Sequence, residues 1–191
     1  MNKEEVLEML GRSGALLEGH FELRSGLHSA QYFQCANALR FPDMAEKMCA
    51  ALVRKIRDGI GSDQKIDSVI SPALGGIIVG HEVARALGVK SIFAEKKNDK
   101  LELRRFKIEK GENIVVAEDV VTKGGRVKET VDIVLKNGGN VVCVGVLVDR
   151  SGGLKMPDCR MFSLLEMQPV TYDPGDCPLC REGVPLVHPG S

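Results

Sequence analysis

Glu118 and Asp119 stand side by side at the end of an apolar run, Ile114 to Ala117, and Thr122, Lys123, Gly124, Gly125 and Arg126 follow two residues later. Adjacent carboxylates can accept hydrogen bonds from vicinal hydroxyls. A Thr/Gly turn that opens a helix offers backbone N–H groups and a partial positive charge to a phosphate. A buried strand holding such a pair rigid suits a phosphorylated sugar. The plainer alternative is a buried strand followed by an acidic helix cap.

Other segments carry compatible chemistry. Ser71 to Gly76 (Ser-Pro-Ala-Leu-Gly-Gly) follows a strand and precedes a helix, so its amides could hold a second anion or simply form a strand–helix turn. Residues 95–110 have more positive than negative charge in a neutral chain. They read as a mobile cationic lid or as a solvated hairpin. Arg150 ends an apolar run and can hold a carboxylate or imide through two parallel hydrogen bonds, or pair with Asp149. His20 to Phe33 reads as a hairpin whose Tyr32 and Phe33 form either a stacking wall for a flat ring or part of the core. Cys177 and Cys180 have zinc-like spacing, but no second pair lies close by and His188 is a poor match to a finger. A zinc site there would need distant residues or a partner chain. The reading adopted is a reduced pair, with no metal held by protein side chains.

Alternating strand-like and helix-like segments must position these groups, the pattern of a parallel sheet covered by helices. Residues 42–58 carry Ala45, Met48, Cys49, Leu52, Val53 and Ile56 at helical spacing, with Pro42 in the first turn. Strands are predicted at 67–71, 89–94, 113–117, 141–148 and 160–165. One helix should stop near Gly88, and another should present Val127, Val131, Val134 and Leu135 before ending at Asn137-Gly-Gly. Residues 1–40 and 166–191 fall outside the alternation and are expected to fold together as a cap over one end of the sheet.

Composition narrows the class. Lys+Arg and Asp+Glu balance at 26 each, which gives no general case for nucleic acid or a membrane surface. The acidic, helix-like start has no signal-type apolar block and no run reaches transmembrane length, so a cytoplasmic location with reduced cysteines is expected.

Taken together, these segments resemble the type I phosphoribosyltransferase family. Glu118 to Gly125 resembles its phosphoribosyl pyrophosphate (PRPP) motif and Ser71 to Gly76 its pyrophosphate loop. The similarity extends over nearly the whole chain and is closest to members that act on orotate. Gly19 to Ser29 with Tyr32 and Phe33 resembles their hood, and Asp149-Arg150-Ser151-Gly152 their orotate-binding arginine. The tail from Asp176 to Pro185 is similar to that of a bacterial and archaeal branch.

The resemblance implies a single α/β domain over 1–191 with a type I phosphoribosyltransferase-like fold. Its core, a mostly parallel central sheet flanked by helices, would span about residues 41–165, and its small hood about 1–40 plus 166–191. It implies transfer of the phosphoribosyl group of PRPP to orotate, giving orotidine 5′-phosphate and pyrophosphate, in pyrimidine (UMP) biosynthesis. Glu118 and Asp119 would bind the ribose hydroxyls, with Asp119 also stabilising positive charge at the sugar. Val120, Val121 and Thr122 to Arg126 would surround the 5′-phosphate. Arg24, Lys96, Lys97 and Lys100 would reach PRPP, and Lys97, Arg104 and Arg105 would serve the chemical step. Tyr32, Phe33, Thr122 and Arg150 would orient orotate. Mg²⁺ would be bound mainly through the substrate, and a homodimer would let loop 95–110 close over the neighbouring site. A cis peptide is implied near Ala73-Leu74. Three positions depart from the family pattern: Lys123 replaces a small residue, Arg126 replaces Ser or Thr, and Gly75 replaces a Lys common in orotate-specific members. The lid also lacks a family His, and Arg104 and Arg105 could take over its electrostatic role. The competing readings are transfer to another base and a non-catalytic PRPP-sensing regulator.

Overall fold

The computed structural model describes residues 1–191 except 24, 99, 157, 158, 169, 190 and 191. In chain order its elements are α1 (Lys3–Arg12), β1 (Leu16–Glu22), β2 (His28–Phe33), α2 (Ala36–Leu39), α3 (Pro42–Ile60), β3 (Ser68–Pro72), α4 (Gly75–Leu87), β4 (Lys90–Lys97) and β5 (Lys100–Glu102). There follow β6 (Asn113–Val121), α5 (Gly125–Lys136), β7 (Asn140–Asp149), β8 (Arg160–Glu166), β9 (Thr171–Tyr172), α6 (Pro178–Arg181) and β10 (Leu186–Val187).

The larger sheet has the order β5-β4-β3-β6-β7-β8. Every pairing in it is parallel except β4 with β5, which is antiparallel. Both faces are covered, and the pleat sorts the side chains between them. Val115 and Ala117 of β6 and Cys143 and Leu147 of β7 join Met48, Leu52 and Ile56 of α3 and Val79 and Val83 of α4 in one apolar cluster. Ile114, Val116, Val144 and Val146 point the other way, onto Val127, Val131 and Val134 of α5. The near-continuous apolar runs of β6 and β7 follow from this two-sided burial.

Local signals fix the helix ends. Asn2 and Glu5 form a reciprocal capping box on α1. Pro42 sits in the first turn of α3, and Gly88 closes α4 in the left-handed conformation. On α5 the buried stripe includes Ile133, whereas Leu135 is exposed. The predicted face thus lay slightly too far round the helix, because the stripe centres on Thr130 and Val134.

The terminal segments share a second sheet of order β10-β1-β2-β9. Strands β1 and β2 make an antiparallel hairpin, β10 adds parallel to β1 and β9 antiparallel to β2. Val6 and Leu10 of α1, together with Ala15 and Phe33, belong to the same apolar cluster as α3, so this sheet is anchored to the core. Burial pushes the Cys49 and Cys143 thiols up to about 12. Among the described residues no helix is long and apolar enough to cross a membrane.

Candidate active site

Sheet order reverses between β3 and β6: the chain leaves β3 toward β4 on one side, while β6, β7 and β8 extend on the other. Ligands of open α/β sheets collect at the carboxyl ends of strands flanking such a switch. There, Pro72 to Gly75 and residues 118–126 line a cavity of about 810 Å³.

β6 is longer than predicted and continues through Glu118 and Asp119 to Val121. The pleat therefore aims the two carboxylates in different directions. Glu118 is buried, while Asp119 is half-buried. Glu118 Oε1 accepts from Asp119 N at 3.0 Å, and Asp119 Oδ1 from Val120 N at 2.7 Å. Burial, reinforced by the neighbouring Asp119 charge, raises the Glu118 carboxyl to about 9. A carboxyl raised in this way favours its protonated form at neutral pH, in which Glu118 can donate as well as accept a hydrogen bond.

Glycine lets the pyrophosphate-loop segment approach this pair. A Cβ at Gly75 would lie 2.6 Å from Asp119 Oδ2, and one at Gly76 2.8 Å from Glu118 Oε1. A side chain at position 75, such as the Lys that the resemblance leads one to expect, has no room here while Asp119 keeps this rotamer. The Ala73-Leu74 peptide is cis, as the resemblance implied, and Ala73 N donates to Ala94 O at 2.8 Å.

On the other side of the carboxylates, Gly124 has φ 75° and a Cβ there would run into the Leu154 side chain. α5 starts at Gly125 without a side-chain cap, and its first intrahelical bond is Lys128 N to Gly124 O at 2.9 Å. The Gly125, Arg126 and Val127 amides are therefore left at the helix N-terminus for an anion. Thr122 and Lys123 are exposed beside them. Arg126 Nη1 pairs with Glu129 at 3.0 Å, and the other Glu129 oxygen accepts from Leu101 N of β5.

Arg150 lies next to this turn, its backbone N–H donating to Val121 O at 2.8 Å. Its Nε is buried and makes no hydrogen bond among the described residues. Burial lowers its pKa, offset in part by Tyr32. The alternative pairing with Asp149 gains no support, because Asp149 Oδ1 accepts from Ser151 N at 2.8 Å. A desolvated guanidinium with an unused donor is costly unless a ligand completes it.

Other predicted residues lie elsewhere. Phe33 is 8 % exposed and packed in the core, because β2 alternation turns it inward. Tyr32 takes the opposite side, half-buried and against Phe21 with ring centroids 5.7 Å apart. Of the two, Tyr32 is the residue left to act as a wall. Lys96 and Lys97 end β4, Lys100 begins β5, and Arg104 and Arg105 follow, so the cationic segment includes a short hairpin. Within it Arg105 pairs with Glu95 at 2.8 Å and Lys97 with Glu102 at 3.7 Å. Among the described residues none of these five cations lines the cavity at the carboxylates. Arg24 lies outside the described residues. Sequence reasoning missed Glu129, whose only signal was an acid on the first exposed turn of α5, and Leu154, which nothing in the sequence singles out.

The tail pair does find distant company. Cys177 and Cys180 lie against His20 and His28, with the four potential ligand atoms all within 4.8 Å of one another. His188 is not among them; its Nδ1 faces Glu22 at 3.3 Å.

Residues 42–177 match the model of the phosphoribosyl transferase domain. The orotate phosphoribosyltransferase of Desulforamulus reducens is 48 % identical over 192 residues, spanning 100 % of this chain and 98 % of the relative. That of Pelotomaculum thermopropionicum is 49 % identical over 193 residues with the same coverage. The crystal structure of orotate phosphoribosyltransferase from Aeropyrum pernix superposes with a TM-score of 0.72 at 25 % identity, covering 85 % of this chain and 93 % of that one. The switch-point cavity, its carboxylate pair and its phosphate-type turn thus sit on a chain that belongs to the phosphoribosyl transferase family, in its orotate phosphoribosyltransferase branch.

Proposed function

We propose that the chain transfers the phosphoribosyl group of PRPP to orotate, releasing pyrophosphate and forming orotidine 5′-phosphate for pyrimidine synthesis. The observation that carries the choice of acceptor is Arg150, a half-buried guanidinium with an unused Nε beside the phosphate turn. An anionic planar base completes its hydrogen bonding, whereas a neutral base leaves it desolvated and unpaired.

Each residue then has a task. The Gly125, Arg126 and Val127 amides, with Thr122 and Lys123, take the 5′-phosphate. Glu118, carrying a proton, and Asp119 bracket the ribose hydroxyls, and the Asp119 carboxylate stabilises positive charge as C1′ develops oxocarbenium character. Arg150 and Tyr32 orient orotate, with Thr122 beside them. Lys96, Lys97, Lys100, Arg104 and Arg105 reach the substrate only when the hairpin segment closes, and Arg24 contributes a further cation to PRPP. That closure excludes water and neutralises the leaving group.

Asp119 supplies an oxygen donor at the cavity of the kind Mg²⁺ accepts while keeping most of its shell from water and substrate. Mg²⁺ bound with PRPP would offset pyrophosphate charge. The chain is taken to act as one domain with core 41–165 and a hood from both ends. It is taken to work in the cytoplasm as a homodimer in which the 95–110 segment serves the partner's site, without nucleic-acid or membrane partners.

Mixing chain, Mg²⁺, PRPP and orotate should lower the orotate absorbance with release of one pyrophosphate per orotate consumed. Tight orotate and PRPP binding without turnover would make the chain a sensor instead. Turnover with a purine but not orotate would reassign the acceptor.

A further inference from the structure

We propose that His20, His28, Cys177 and Cys180 bind a structural zinc ion that clasps the β1–β2 hairpin to the carboxy-terminal tail. The four donors come from positions far apart in sequence and meet in one place, with every pair of ligand atoms within 4.8 Å. Cys177 Sγ is 3.5 Å from His20 Nε2, and Cys180 Sγ is 3.7 Å from His20 Nε2 and 3.4 Å from His28 Nδ1. A tetrahedral zinc with its usual Zn–N and Zn–S lengths places N and S about 3.5 Å apart. The N···S spacings are those of a coordination polyhedron, and metal binding would open the 2.9 Å His20–His28 contact.

The imidazole of His20 is oriented for the role. Its Nδ1 is 2.8 Å from the Val184 carbonyl, which can only accept, so Nδ1 carries the proton. Nε2 is then left as a lone pair aimed at the other three ligands. This is how ligating histidines are held by an outer hydrogen bond. A ring-to-ring hydrogen bond from His28 Nδ1, 2.9 Å away, accounts for one neighbour of that lone pair. It leaves two thiols converging on the same nitrogen without a role.

Donor chemistry selects the metal. Two thiolates and two neutral imidazoles are soft and borderline ligands in a tetrahedral set, which favours zinc over Mg²⁺ or Ca²⁺. Two thiolates cancel the dication's charge, so the site can be largely buried: His20, His28 and Cys177 are 2 %, 5 % and 1 % exposed, and only Cys180 of the four stands at the surface. Four protein ligands leave no open position, the mark of a structural rather than a catalytic centre.

The tail needs such a fastening. β9 and β10 are two residues each and α6 is four, lengths that do not hold together in water by themselves. Among the described residues from 171 onward only Cys177 is buried. Apolar packing therefore supplies little of what keeps β10 on β1.

The test uses the full chain, prepared without a histidine tag, incubated with Zn²⁺ under reducing conditions and desalted. Elemental analysis should find about one zinc per chain. The Cys180→Ser/His28→Asn double variant should lose most of it, while Cys159→Ser, outside the cluster, keeps it. Cobalt-loaded unmodified chain should show intense tetrahedral d–d bands with thiolate-to-cobalt charge transfer. This measurement decides the matter even if the double variant fails to fold. Zinc-free chain after incubation, undiminished zinc in the double variant, or an octahedral cobalt spectrum would each overturn the proposal.

Discussion

Arg150 and Glu118 are both ionisable groups moved off their ordinary behaviour by burial, and each yields a measurable consequence. Among the described residues Arg150 keeps a buried Nε without a hydrogen bond, which is why an anionic ligand is proposed to complete it. Arg150→Ala should raise the orotate KM or lower turnover by at least about tenfold, the loss expected of a charge-assisted bidentate contact. Orotate kinetics unchanged in that variant would remove Arg150 from the acceptor site. For Glu118 the sign follows from proton linkage. Its carboxyl titrates near 4.5 ordinarily and at about 9 in the folded chain, so folding takes up a proton between those values. Stability from this group is complete below the lower value and is lost as pH rises toward the upper one. Glu118→Gln, which mimics the protonated form, should melt close to wild type at pH 5. At pH 8 it should melt several degrees higher, since about 1 kcal/mol shifts a chain of this size by about 2–4 °C. A gap between the two melting curves that stays constant with pH would show that Glu118 is ionised in the folded chain.

The site is an encounter of elements, and the contacts between them can be tested separately. The turn from β3 into α4 meets the end of β6 where a Cβ at Gly75 would fall 2.6 Å from Asp119 Oδ2. Asp119 cannot yield freely, because Val120 N holds its other oxygen at 2.7 Å. Gly75→Ala should therefore displace the carboxylate proposed to act on the ribose and lower kcat by at least about tenfold; wild-type kcat would mean that Asp119 has another rotamer in the working state. The β4–β5 hairpin is tethered to α5 through Glu129, which accepts from Leu101 N and from Arg126. In Glu129→Ala the Leu101 amide should lose at least about tenfold in hydrogen-exchange protection, the worth of a hydrogen bond to a charged acceptor. Equal protection would mean that β-pairing alone secures the hairpin. The elements themselves were largely legible: α3 from its apolar spacing, and β7 from a run explained by burial on both faces. Their limits were less so, because β6 keeps its pleat through two carboxylates that resembled the start of a turn. The Glu95–Arg105 pair and the Glu129 tether depend on where the hairpin folds back, which periodicity does not encode. The family resemblance supplied residue roles that spacing alone left open. The clustering of His20 and His28 with the tail cysteines was out of reach, since His20 lies 157 residues from Cys177 and His28 152 from Cys180.

At the scale of the whole molecule, the cationic segment and the switch-point cavity stand apart within one chain. The cavity at the switch point is lined by the phosphate turn and the Pro72–Gly75 segment, and among the described residues the five lid cations, on the hairpin and just after it, do not line it. The hairpin is tethered within its own chain at Glu129, while Lys96, Lys97 and Lys100 are exposed. A homodimer in which each 95–110 segment serves the partner's cavity resolves this arrangement, and complementation tests it directly. One variant lacks the lid charge (Lys97→Ala with Arg105→Ala) and a second lacks the site carboxylate (Asp119→Asn). Each alone should be nearly inactive. After mixing, dissociation and reassembly at equal amounts, half of the dimers are mixed. In each of these, one of the two sites combines an intact cavity with an intact lid from the other subunit. Activity should then recover to about a quarter of wild type for a two-fold closed assembly. If the lid instead closes over its own subunit, every site in the mixture keeps one defect and activity stays at the level of the single variants. Recovery that scales with the fraction of mixed dimers would establish the crossing of the lid, and its absence would return the lid cations to the cavity of their own chain.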